Sequence, residues 1–170
     1  MPRREPALSI VTATAADAGF VASVRNAAAL RLTEEFGTGH WSGFTSTPSV
    51  LRGIQSSRVL VAREGESVVA TLRLATKRPW AIDAGYFAPS ARPLYLVDMA
   101  VVPAAQRRGA GRQLLQAAVD VARGWEKDAI RLDAYDHPAG AGTFYQKCGF
   151  EEVGRISFRG VPLIYYQMRL

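Results

Sequence analysis

The 170-residue chain is poor in cysteine, histidine and lysine: Cys148 stands alone, the histidines are His40 and His137, and Lys77, Lys127 and Lys147 are the lysines. One cysteine closes no internal disulfide, and one cysteine with two scattered histidines makes no ligand set of zinc-site spacing, so no metal is expected. No apolar run approaches the ~20 residues that cross a bilayer. The start, Met1-Pro2-Arg3-Arg4-Glu5-Pro6, lacks the apolar stretch of a signal peptide. A cytoplasmic protein without a membrane partner is therefore expected. Glycine (15) and proline (9) show no collagen-like excess, and neither a repeat nor a low-complexity tract interrupts the chain.

What is present suits a globular fold. The hydrophobic fraction is 48% and the charged fraction 21%, enough apolar material for one core. The expectation is one domain over residues 1–170, with residues 1–7 as a flexible tail. The net charge of +6 and pI of 9.9 favour an anionic partner. That partner could be nucleic acid, a membrane surface or an anionic small molecule, and charge alone does not choose among them; scattered arginines without a basic tail or concentrated patch make nucleic acid the weakest reading. One local concentration, Arg107-Arg108, sits among glycines.

Hydrophobic periodicity gives the elements. Residues 9–14 read as a strand. Thr14-Ala15-Ala16-Asp17 has capping-box spacing, and Phe20, Val24, Ala28, Leu32 and Phe36 predict a helical stripe ended by Gly37. Thr47-Pro48 predicts the cap of a short helix that buries Val50, Leu51 and Ile54. Residues 58–64 and 67–76 read as a hairpin through Gly65. Residues 77–93 hold four prolines or glycines with Trp80, Tyr86 and Phe87 and show no period; they read as either a substrate-facing loop or an excursion whose aromatics cover a core edge. Residues 94–102, apolar but for Asp98, predict a strand buried on both faces near the sheet centre. A helix with Leu114, Leu115, Ala118, Val121, Ala122 and Trp125 on one face, a strand at 129–135, a short helix at 139–148 and a hairpin turning at Arg159-Gly160 complete the chain.

Between the strand at 94–102 and the next helix lies Gln106-Arg107-Arg108-Gly109-Ala110-Gly111-Arg112. Glycines at a helix start let an anion approach unpaired amides at the positive end of the helix dipole. The loop lacks the Gly-Lys-Ser/Thr of a Walker loop and the three-glycine dinucleotide spacing. Its first six residues resemble the Gln/Arg-x-x-Gly-x-Gly/Ala signature of the GNAT superfamily of N-acetyltransferases, and Phe144-Tyr145-Gln146-Lys147-Cys148-Gly149-Phe150 resembles that superfamily's Tyr-x-x-x-Gly-Phe ending.

The resemblance implies an α/β fold: a mixed, mostly antiparallel twisted sheet of six to seven strands flanked by about four helices, with splayed central parallel strands. It implies acetyl-CoA as cosubstrate, its pyrophosphate on Gln106, Arg107, Arg108, Gly109, Ala110, Gly111 and Arg112 and its pantetheine arm along Met99, Ala100 and Val101. It implies that Tyr145 protonates the departing thiolate during acetyl transfer to a primary amine of a small molecule, peptide or protein. Asp98, an acid inside an apolar strand, and Asp133, twelve residues before Tyr145, are the two candidates for taking the ammonium proton, and loss of that proton to water is the third route. Pro138 stands where many relatives have a coenzyme-contacting asparagine, with His137 beside it as a substitute contact. The acceptor is expected near Glu34, Glu35, His40, Trp41, Phe44, Tyr165 and Tyr166. Homodimers are common in the superfamily, and a non-catalytic acyl-CoA-binding sensor is the alternative function.

Overall fold

The computed structural model describes residues 7–170; residues 1–6, nearly all of the expected tail, lie outside it. Seven strands form one sheet in the order β1-β2-β3-β4-β5-β7-β6. They are β1 (Ser9–Thr12), β2 (Arg58–Glu64), β3 (Ser67–Ala75), β4 (Pro93–Val101), β5 (Ala129–Tyr135), β6 (Glu151–Phe158) and β7 (Val161–Arg169). Four α-helices accompany them: α1 (Ala18–Phe36), α2 (Thr47–Ser56), α3 (Ala110–Gly124) and α4 (Gly142–Lys147). The pairs β1/β2, β2/β3, β5/β7 and β6/β7 are antiparallel and β4/β5 is parallel, which is the mixed, mostly antiparallel architecture expected.

Two compact units emerge. Among the described residues, one comprises residues 7–74 with Asp98–Ala118, the other Ala75–Val97 with Val119–Leu170. In the first, Thr14 N–H donates to Asp17 Oδ2 at 2.8 Å, and the buried Asp17 also pairs with Arg63 of β2. This acid ties the start of the α1 region to the sheet. The core here is Ala13, Ala18, Val21, Ala22, Val50, Val59 and Val61. Of the expected α1 stripe Val24 is buried, but Phe20 is 57% exposed, and Ala18, Val21 and Ala22 share the inward face with Val24. A strict four-residue spacing drifts around a helix of 3.6 residues per turn, whereas an i, i+3, i+4 set stays on one face. The cap of α2 is Ser46, which accepts from Ser49 N–H at 3.3 Å; Thr47 is the first helical residue and Pro48 the second.

In the second unit, β6 and β7 turn at Arg159 (φ +50°) and Gly160 (φ +82°), two successive left-handed residues that match the twist of a two-residue hairpin. The segment before β4 is folded rather than loose. Ile82 and Phe87 pack with Tyr95 and Tyr165, while the Tyr165 hydroxyl donates to Ala81 O and accepts from Asp83 N–H at 3.0 Å. Asp128 accepts from the Ser90 hydroxyl and from the amides of Ala91 and Arg92, both at 3.1 Å. The Ser90 hydroxyl leads these donors in holding its carboxyl below the usual range. Of the two readings of residues 77–93, the covering of a core edge describes Phe87, while Trp80 is 86% exposed.

β4 departs from a uniformly buried strand. Leu94, Tyr95 and Leu96 are buried, but residues 97–101 are only half-buried. Its parallel register to β5 pairs residues 93–95 with 129–131. The backbone of Asp98 stands at φ +56°, outside the range a regular strand uses. α4 begins at Gly142 rather than 139, because Gly140 N–H closes a turn onto His137 O at 2.8 Å.

Candidate functional site

In the first unit, β4 ends at Val101 and a short 3-10 turn, Pro103–Ala105, leads into the glycine loop. Gly109 (φ +82°) and Arg107 (φ +60°) both turn through left-handed backbone. Gln113 N–H donates to Gly109 O at 3.0 Å, which makes Gly109 the last residue before α3. The amides of Ala110, Gly111 and Arg112 then fall in the first turn, where a helix offers them no acceptor of its own. Alternating left-handed residues ahead of such a turn build the concave amide cradle that suits an oxyanion.

Two of the expected anion contacts brace the loop. Gln106 Nε2 donates to Val101 O at 3.1 Å, fixing the loop against the end of β4. Arg108 donates to Ala104 O at 3.3 Å and pairs with Glu64 of β2 at 3.5 Å. Arg107 and Arg112 are exposed. Met99, Ala100 and Val101, the expected pantetheine strand, belong to the half-buried stretch of β4, past residues 93–95 that pair with β5.

Asp98 is half-buried, with both carboxylate oxygens engaged. Oδ1 accepts from Arg25 Nη2 of α1 at 3.1 Å and Oδ2 from Arg73 Nε of β3 at 3.0 Å. Each oxygen of this carboxylate thus takes a charge-assisted hydrogen bond from a different guanidinium. Arg25 and Arg73 were not singled out from sequence. The signal was a cation one turn after Val21 on the inward face of α1 and another inside the apolar run of β3.

In the second unit, Tyr145 of α4 is buried among rings: Phe144 at 5.4 Å, Phe150 at 5.6 Å and Tyr166 at 6.3 Å between centroids. Burial pushes its hydroxyl well above the ordinary tyrosine range, and the charges of Asp133 and Cys148 push it further. It therefore keeps its proton throughout the neutral range. Asp133 lies on β5 opposite Tyr165 of β7 and is partly exposed. Tyr145 and Asp133 are thus brought within electrostatic reach of each other.

The residues expected around the acceptor are dispersed in their roles. Tyr165 is fully buried and its hydroxyl is taken up by Ala81 and Asp83, so it does not face a ligand. Glu34 and Glu35 are exposed at the end of α1, where Arg31 approaches Glu35 at 4.0 Å. His40 is exposed and Phe44 is 84% exposed; Trp41 donates from Nε1 to Gly37 O at 3.0 Å. His137 uses Nδ1 to accept Ala139 N–H at 2.9 Å, closing the turn after β5 next to a cavity of about 390 Å³ bounded by Thr143, Gln146, Arg155 and Tyr166. Among the described residues no group of His, Cys, Asp and Glu gathers as a metal site, and no helix is long and apolar enough to cross a membrane.

Known proteins share this architecture. The putative acetyltransferase yncA of Salmonella typhimurium, solved with its cofactor acetyl-CoA, is 23% identical, with 96% of this chain and 94% of that chain covered and a TM-score of 0.70. A ribosomal-protein-alanine N-acetyltransferase of Brucella melitensis is 22% identical over 95% and 99% of the two chains, with a TM-score of 0.74. The paiA N-acetyltransferase of Thermoplasma acidophilum, in complex with coenzyme A, is 14% identical over 96% and 99%, also with a TM-score of 0.74. These likenesses establish the fold. No curated protein matches the chain. The acetyltransferase (GNAT) family model matches residues 26–150, which take in β4, the glycine loop, α3, Asp133 and Tyr145. With well over half of its length matched, the chain belongs to the GNAT acetyltransferase family.

Proposed function

We propose that this protein is an N-acetyltransferase that moves the acetyl group of acetyl-CoA to a primary amine by direct attack in a ternary complex. The observation that carries this is the strand, left-handed loop and helix start at 101–112, with its first-turn amides, inside the family match. The amides of Ala110, Gly111 and Arg112 would hold the pyrophosphate, with the side chains of Arg107 and Arg112 adding charge. Met99, Ala100 and Val101 would pair by main chain with the pantetheine arm, and Gln106 and Arg108 keep the loop in register. The coenzyme supplies an activated acetyl thioester.

In this scheme the amine nitrogen bonds to the acetyl carbon as the carbon–sulfur bond breaks. Tyr145 gives its proton to the departing thiolate, a role that suits a hydroxyl whose burial keeps it protonated. The proton lost by the amine goes to Asp133 or directly to water. Asp98, clamped by Arg25 and Arg73, serves as a positioning residue for those arginines.

Calorimetric titration with acetyl-CoA, desulfo-CoA and adenosine diphosphate, followed by thiol release on an amine panel, tests the proposal. Micromolar acetyl-CoA binding with amine-dependent thiol release is expected. Binding without turnover on any amine would leave a coenzyme-binding sensor, and absence of binding would remove both. Gly109→Val places a β-branched residue at φ +82° and should weaken acetyl-CoA at least tenfold; unchanged affinity would take the pyrophosphate away from this loop.

A further inference from the structure

The first unit contains a cavity of about 380 Å³ between α1, α2 and strands β2 to β4, and its lining is unusual in charge. Arg25, Arg52 and Arg73 border it, and Asp98 is the one carboxylate among them. Asp98 is already shared, one oxygen to Arg25 and the other to Arg73. Arg52, on the exposed side of α2, makes no ion pair among the described residues. The cavity therefore carries an excess of positive charge, and since Asp98 takes one donor from each of its partners, most guanidinium N–H groups remain for a ligand. Its inner wall is apolar, built from Val21, Val50 and Leu72.

Two of the cationic groups, Arg25 and Arg73, are also held in place by Asp98. A Cβ at Gly53 of α2 would lie 3.2 Å from Arg73 Cδ, so the bare backbone of α2 receives the arginine stem while Asp98 holds the same side chain at Nε. Side chains ordered before a ligand arrives lose little entropy when it binds. An acceptor of two or more positive charges, such as a polyamine, would meet repulsion here and no spare carboxylate. An acid group would meet charge-assisted, planar donors.

We propose that this cavity takes an oxyanion, a carboxylate or a phosphate, and that the amine acceptor is a small molecule or chain end bearing such a group beside its amine. The assignment of that anion to the acceptor rests on the acetyltransferase reading above; the anion site itself does not.

The test separates the two. Amino acids of two to six carbons, each matched with its carboxamide, O-phosphoethanolamine matched with ethanolamine, and spermidine are titrated calorimetrically into the full chain, without and with desulfo-CoA. At least one acid is expected to bind tenfold or more tightly than its neutral match, with spermidine weaker than either. The carboxylate and phosphate pairs report which oxyanion is taken. Arg52→Gln, which breaks no ion pair, should shrink that discrimination at least fivefold, and Arg73→Gln should do so as well, with melting curves confirming that each variant is folded. Equal binding of acid and neutral partners, preference for spermidine, or discrimination that survives both substitutions would overturn the proposal. Thiol release on the same panel then reads the enzyme separately: acid-selective binding without turnover upholds the anion site and removes the acetyltransferase reading.

Discussion

In the unit that contains Asp98–Ala118, the side chains with chemical interest are held by charge: Asp98 between Arg25 and Arg73, Arg108 on Glu64, Asp17 on Arg63. In the unit that contains Val119–Leu170 they are held by rings: Tyr145 among Phe144, Phe150 and Tyr166, and Tyr165 among Tyr86 and Phe87. Around Asp98, charge fixes a direction and leaves the group partly open to solvent. Aromatic packing excludes water and raises the proton affinity of a hydroxyl. The proposed chemistry draws on both, with anions received in one unit and a retained phenolic proton in the other.

The sharpest way to break the contrast is by volume in the ring-held unit. A Cβ at Gly142 would lie 2.3 Å from Tyr166 Oη, and both residues are buried, so Gly142→Val should destabilise the protein by about 3 kcal/mol. A thermal melt unchanged within a degree would show that Tyr166 yields easily. Removing charge should cost less. Asp98→Ala leaves Arg25 and Arg73 without their shared anion, but these groups are about a third exposed, and solvent screening limits the expected loss to about 1 kcal/mol. That loss should fall further in high salt; a salt-independent effect would mean that the backbone at φ +56° matters more than the pairs.

Tyr145→Phe keeps the ring and should alter stability by less than about 1 kcal/mol, yet turnover should fall at least tenfold with acetyl-CoA affinity intact. Turnover equal to wild type would remove Tyr145 from proton transfer. The smallest effect is in pH. Because burial raises the folded hydroxyl above its ordinary value of 10.0, the unfolded chain releases that proton first, and stability declines as pH rises past about 10. Tyr165 and Tyr166 are raised as well, again chiefly by burial, so Tyr145→Phe should lessen the alkaline decline without abolishing it. An identical decline would place the titration elsewhere.

Much of this was legible in the sequence because it depends on local chemistry. Gly65 and Arg159-Gly160 mark turns through their backbone freedom, and the glycine loop with the Tyr145 segment carries the family pattern. On α1 the four-residue spacing finds the buried Val24 but also takes in the exposed Phe20, because hydrophobicity alone does not say which side of a helix meets a sheet. The arginine cavity was hidden for a different reason. Arg25, Arg52, Arg73 and Asp98 are distant in the chain and share no motif; only the fold makes one site of them. The same holds for residues 77–93, whose order comes from Tyr165 and Asp128 far downstream.

That downstream dependence bears on how the protein acquires its structure. The Tyr165 hydroxyl satisfies Ala81 and Asp83 across 84 and 82 positions of sequence, and closing so long a loop is an entropic cost that nearby contacts do not recover. Until β7 docks, residues 81–83 lack the hydroxyl that orders them, and Ile82 and Phe87 lack their Tyr165 contact. Protection of residues 81–83 from hydrogen exchange should appear together with that of β7, making this segment one of the last parts of the molecule to become native.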